Sequence, residues 1–327
     1  MKKFKRILMQ SILWLSIAMS QHSVLAAENL NDKLTKPQID LAVNGVINAL
    51  VNNYIYPEKA LLIEKELRHK VDINEFTKIN DWYAFIREIN LIIRNVSGDM
   101  YLDVVETKPV ITLESTADKT ELPKLANYNL DNVSILFGNV GYFKLDYFSQ
   151  NPEAEIGISR ALDALSNTDA LIIDLRSAEG DSLTLAQYLM SFFVNKDTLL
   201  SKITYAPQKK ELTLTSLNIG GIRFKSNFPV YLLTSSFLSG SGEFVAYTLK
   251  YFKKAVIVGE ETMGVAYVIK KQKINAHISL NIPVAIPLHP KTNNNWERTG
   301  VTPDVYSAAD LGLETAHKLA KEYLGIF

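Results

Sequence analysis

Val230-Tyr231-Leu232-Leu233-Thr234-Ser235-Ser236-Phe237-Leu238-Ser239-Gly240-Ser241-Gly242-Glu243-Phe244 opens with five strand-forming residues and runs through a serine- and glycine-rich turn into a helical pattern. A short apolar run bounded by turn residues reads as a buried strand, and the pattern after Gly242 reads as a helix to Phe252. Working outward, the same alternation recurs. Strands are expected at Val133 to Leu136, Gly141 to Leu145, Ala170 to Leu175 and Ala255 to Val258, with helices at Glu153 to Ser166 and Leu183 to Val194. Strands alternating with helices define an α/β layer in which helices cover a sheet.

Upstream the period changes. Between Lys36 and Leu102 apolar residues recur at helical spacing, as in Ile39, Val43, Ile47 and Leu50, then Ile63 and Leu67, then Trp82, Phe85, Ile89, Ile92 and Ile93. Pro57 ends one helix and can start the next, because proline lacks the N–H that a helix interior needs but is tolerated in its first turn. The domain organisation expected is a segment 1–26, a helical N-terminal domain 27–103, a connector with short strands 104–132 and an α/β domain 133–327. The alternating stretch Ile274 to Val284 reads as strand pairs carrying a surface histidine, His277, and Ala308 to Tyr323 reads as a closing helix.

Composition limits the function. The chain has 327 residues, 47% of them apolar, enough for a sizeable core. Its 35 basic and 35 acidic residues balance, so nothing advertises a nucleic-acid partner. The start, Met1-Lys2-Lys3-Phe4-Lys5-Arg6, precedes an apolar run Ile7 to Ala18 and small residues Val24-Leu25-Ala26-Ala27, the pattern of a cleaved signal peptide. That run is shorter than the roughly 20 residues needed to span a bilayer, so no stable membrane span is expected after cleavage. Removal takes four cations and no acid, leaving a formal charge of −4 and a protein exported to a periplasm or secreted. With no cysteine, a disulfide framework, thiolate zinc sites and a cysteine nucleophile are excluded. The five histidines are scattered, and no metal or other cofactor is expected.

Four stretches bear on chemistry. Ala170-Leu171-Ile172-Ile173-Asp174-Leu175-Arg176-Ser177-Ala178-Glu179-Gly180-Asp181 is a strand ending in a turn that can aim N–H groups into a cleft, or serve as an ordinary loop. The Ser239 to Gly242 turn places serines at a helix start, where free N–H donors and the dipole suit a nucleophile and its oxyanion, or simply cap the helix. The others are Val256-Ile257-Val258-Gly259-Glu260-Glu261-Thr262-Met263-Gly264 and Asn295-Trp296-Glu297-Arg298-Thr299-Gly300-Val301-Thr302-Pro303-Asp304. In this order they resemble the tail-specific (C-terminal-processing) serine peptidases, in the branch similar to the modules of interphotoreceptor retinoid-binding protein. Tyr54-Ile55-Tyr56-Pro57-Glu58 and Ser97-Gly98-Asp99-Met100-Tyr101-Leu102 extend the match into the helical domain. The resemblance implies a helical N-terminal domain followed by a crotonase-like β-β-α spiral, with a cleft between the two.

The same resemblance exposes departures. A gap-free match through Glu243 puts Gly240 where the family has its nucleophilic serine, a slip of one puts Ser239 there, and Ser241 is the other neighbour. The lysine of the Ser-Lys dyad falls on Val265. The histidine of members similar to the tricorn core falls on Tyr101, whose ordinary pKa near 10 suits a base poorly. Glu297 stands at the supporting glutamate, while the glycine pair after Asp174-Leu175-Arg176 reduces to Gly180 and Asp181. Two functions compete. In an active serine peptidase acting on exported polypeptides, Ser239, in preference to Ser241, attacks, the N–H groups of Gly240 and Gly180 hold the oxyanion, and Glu297 orients a base that the sequence does not identify, with Lys270, Lys271, His277 and His289 as candidates and Tyr101 standing at the histidine position. In a silent member, the cleft binds a peptide or an apolar ligand.

Overall fold

A computed structural model describes residues 34–107, 130–206, 210–220 and 223–327. Segment 1–26 and most of the 104–132 connector lie outside the described residues.

Three helices lead: α1 (Lys36–Asn53), α2 (Pro57–Asp72) and α3 (Trp82–Ser97). Pro57 sits in the first turn of α2, where its missing N–H is no loss. Asp81 caps α3 by accepting from Ala84 N at 2.8 Å. Asp81→Ala is expected to lower the midpoint of urea unfolding by the equivalent of about 1 kcal/mol, and an unchanged midpoint would mean that the cap carries no stability.

Eleven described strands follow in two sheets. β1 (Asp103–Glu106), β5 (Leu199–Tyr205), β6 (Lys210–Thr215), β9 (Val268–Lys273) and β10 (Ile278–Leu288) form the first. The long β10 pairs with β9 along one edge, and with β1 and then β5 along the other. The second sheet has the order β11 (Val305–Tyr306), β8 (Val256–Gly259), β7 (Val230–Thr234), β4 (Ala170–Asp174), β3 (Val140–Leu145), β2 (Leu130–Leu136). It is parallel except for β2. All five residues of β4 and of β7 are buried, as a parallel strand covered on both faces requires. Leu171, Ile173 and Leu232 face the core under α4 (Ala154–Ala164), α5 (Leu183–Met190) and α6 (Ser241–Tyr251). Ala170, Ile172 and Leu233 face α7 (Gly312–Leu324). The chain is thus a mixed α/β fold in which a helical N-terminal region precedes the sheets.

The leading helices pack on the first sheet, where Ile278, Leu280, Ile282 and Ile203 join Ile47, Leu50, Phe85 and Ile93 in one core. This corrects the expectation for His277. It is buried and stacks on Trp82 with ring centroids 4.7 Å apart, because α3 covers that face of β10. The β5–β6 pair was not expected from the sequence. Among the described residues no helix is long and apolar enough to cross a membrane.

Candidate active site

β7 ends at Thr234, and the turn that follows tightens at Gly240, with φ 59° and ψ −124°, before α6 starts at Ser241. A positive φ of this kind costs an L-residue strain but comes freely to glycine, and sharp strand-to-helix elbows are where hydrolases expose a nucleophile. The elbow falls on Gly240, as in the gap-free match, and Ser239 precedes it with ordinary backbone. Ser239 is half-buried and Ser241 buried. Both line a cavity of about 290 Å³, walled also by Asp181, Val265, Tyr267, Phe244 and Trp296.

Gly180 and Gly240 meet: a Cβ at Gly240 would lie 3.5 Å from the Gly180 carbonyl oxygen and would land on Asp181 Oδ1. The Asp181 carboxylate therefore fills the volume that a side chain at the elbow would claim. Gly180, at φ +90°, must itself be glycine, because a Cβ would meet the Phe148 carbonyl oxygen at 2.7 Å.

Behind the cavity wall lies Glu243, fully buried. Its Oε1 accepts from Thr262 Oγ1 (2.5 Å) and Gly264 N (2.6 Å), and Oε2 from Val265 N (2.9 Å). Thr262 Oγ1 in turn accepts from Val301 N at 2.7 Å. Burial pushes the Glu243 carboxyl up to about 7 against the pull of these donors. Its side chain clamps the loop that carries Val265 and Ala266 into the cavity. This clamp escaped the sequence reading, where Glu243 served only to anchor the motif.

Glu297 accepts from Ala266 N at 2.9 Å through Oε2, while Oε1 is buried and has no partner among the described residues. Burial, with the Asp99 charge adding to it, raises its pKa. Tyr101 donates to the Gly264 carbonyl at 3.4 Å. Burial and then the charges of Glu297, Glu243 and Asp99 push its phenol up, away from what a base at neutral pH requires. Neither residue lines the cavity. The helical region reaches it through Tyr56, whose hydroxyl lies 2.7 Å from that of Tyr267, and Asp99 accepts from Tyr54 at 2.8 Å. The described residues that line the cavity lie between Gln150 and Trp296 in the chain.

Among the described residues, no lysine, arginine or histidine lines the cavity. Lys270 donates to Asn53 at 3.1 Å, and Lys271 lies on β9 opposite Asn281. His277 is under Trp82, and His289 is buried among Tyr247, Tyr251 and Phe252, where burial lowers its pKa to about 4. The structure brings Ser239, Ser241, Gly240 and Gly180 together and keeps these four base candidates away.

A parallel sheet, a glycine-turned elbow at a helix start and a carboxylate-clamped loop give this chain the frame of a serine-hydrolase site. Peptidase family S41 matches residues 139–307, just over half of the chain, and the chain belongs to that family. The carboxyl-terminal-processing peptidase 2 (chloroplastic) of Arabidopsis thaliana is 26% identical over 167 residues, which are 50% of this chain and 31% of that protein. The carboxy-terminal processing protease CtpB of Bacillus subtilis is 25% identical over 191 residues, 55% of this chain and 38% of its own. The matched region thus spans well under half of either relative, 31% of the first and 38% of the second. A putative peptidase from Parabacteroides merdae shares the fold over 86% of this chain and 96% of its own, with a TM-score of 0.59 at 14% identity.

Proposed function

We propose that this chain is an exported, catalytically silent member of family S41 that binds a polypeptide in the cavity beside Gly240. The signal-peptide pattern over 1–26 supports export, and the remainder is proposed to divide into a helical part 27–103, a connector 104–132 and a peptidase-type part 133–327. One observation carries the silent reading. Three of the positions at which the chain departs from the family's catalytic pattern, Asp181, Gly240 and Val265, line one cavity. There a carboxylate takes the nucleophile's volume and an isopropyl group takes the place of the base. A carboxylate beside a developing oxyanion opposes the charge that a peptidase must stabilise.

The second reading is an active peptidase. It is favoured by Ser239 and Ser241 both lining the cavity, with Gly240 and Gly180 as oxyanion donors and Glu297 or Tyr101 in support. Incubating the purified protein with a fluorophosphonate probe decides between them. The expected result is no covalent adduct by mass spectrometry under conditions where an active S41 peptidase is fully modified. An adduct that disappears in Ser239→Ala or Ser241→Ala would establish the active reading and identify its nucleophile.

A further inference from the structure

The charge of the cavity is one-sided. Among the described residues, Asp181 is the only ionisable acid or base on its wall apart from the phenol of Tyr267. Among the described residues its carboxylate has no hydrogen bond or ion pair; the residue's one polar contact is its backbone carbonyl, which accepts from Gln150 Nε2 at 2.9 Å. Asp181 is an exposed residue, and partial desolvation of its carboxyl by the surrounding groups raises its pKa. A charge held like this gains more from a counter-ion than one in open water does. The rings of Phe244, Tyr267 and Trp296 line the same cavity, with Phe244 and Trp296 buried and stacked on each other at 5.8 Å. Leu183 and Ile269 add an aliphatic wall. Aromatic faces attract cations, and an apolar wall suits the methylene stem of a long basic side chain whose charged head seeks a polar partner.

We propose that this cavity is a receptor for an alkyl cation, the side chain of a lysine or arginine in a bound polypeptide, with Asp181 as its counter-ion and the Phe244, Tyr267 and Trp296 rings as its wall. This rests on the polypeptide-binding reading above and sharpens it to a substrate class. Acidic segments and free C-terminal carboxylates are rejected by the same charge.

Calorimetric titration of the purified protein with acetyl- and amide-capped Ala-Ala-X-Ala-Ala peptides, where X is lysine, norleucine or glutamate, tests it, with n-butylamine as the free amine. The lysine peptide is expected to bind about fivefold tighter than the norleucine peptide, the yield of a partly exposed ion pair together with a cation–π contact. Its advantage over the glutamate peptide is expected to be larger, and Asp181→Asn is expected to abolish both preferences. Equal affinity for lysine and norleucine in the wild type, preference for glutamate, survival of the lysine preference in Asp181→Asn, or no binding of any peptide or of butylamine would overturn the assignment. Asp181-dependent binding of butylamine alone keeps the cation site and makes its source a small amine. Mass spectra of the same mixtures report cleavage, so loss of the silent reading is seen separately from loss of the lysine preference.

Discussion

Replacing Glu243 by alanine is expected to destabilise the folded chain by about 3–5 kcal/mol, enough to unfold a marginally stable protein. Three donors, Thr262 Oγ1, Gly264 N and Val265 N, converge on this carboxylate, and its removal strands the two N–H groups in the interior beside a new cavity. The pH dependence has a definite sign. The Glu243 pKa in the folded chain, about 7, lies above the ordinary carboxylate value, so the folded state holds a proton that the unfolded chain has released. The associated stability is present at and below the ordinary carboxylate pKa and is lost as pH rises towards 7, a fall of the order of 3 kcal/mol. Glu297, raised in the same direction, adds to the same slope. His289, which burial holds at about 4, contributes the opposite slope up to its ordinary value, so the clamp is read from the difference between wild type and variant. Relative to wild type, Glu243→Gln, which cannot ionise, should gain stability in urea unfolding as pH rises from about 4.5 to about 7.5. A difference between the two that stays constant over this window, or an alanine variant within about 1 kcal/mol of wild type, would contradict the clamp.

The same carboxylate illustrates where the sequence stops speaking. β4 and β7 are runs of five buried residues between turn signals, and each was legible to within a residue because both faces of a parallel strand are covered. β5 and β6 were not. Most of their residues stay half-buried or exposed, as in β6, where only Leu214 is buried, so they lack an apolar run. For His277 the period of two gave the strand correctly but not which face is covered, since the covering helix α3 lies nearly two hundred residues earlier in the chain. In the site, spacing along the chain left the elbow open between Gly240 and Ser239, and the fold turns it at Gly240. The contact of Asp181 with Gly240, fifty-nine positions apart, depends on how the β4 and β7 turns lie side by side at the ends of paired parallel strands. Spacing could show that Asp181 replaces a glycine and that Gly240 replaces a serine. Only the fold shows that one replacement fills the space vacated by the other.

That coupling predicts a gain of function. The triple variant Asp181→Gly/Gly240→Ser/Val265→Lys is expected to react with a fluorophosphonate probe at least about 100-fold faster than wild type, since a positioned base contributes on the order of 10²–10⁴. A serine at 240 inherits the elbow's φ of 59°, a strain of roughly 1–3 kcal/mol that nucleophile positions tolerate. Asp181→Gly clears the carboxylate from the serine's path and removes an anion from beside the oxyanion donors. Lysine at 265 enters the same cavity against Phe244 and Trp296, where an apolar wall lowers an amine's pKa towards that of a usable base. The three changes act as a unit. Gly240→Ser alone meets Asp181 and has no base, and Val265→Lys alone has no nucleophile and pairs with the Asp181 carboxylate. Labelling of the triple variant should persist when Ser239 is also replaced by alanine, because the elbow turns at 240. A triple variant that melts with wild type yet stays unlabelled would show that something other than these three positions silences the site. Labelling lost with Ser239→Ala would move the nucleophile to the residue before the elbow.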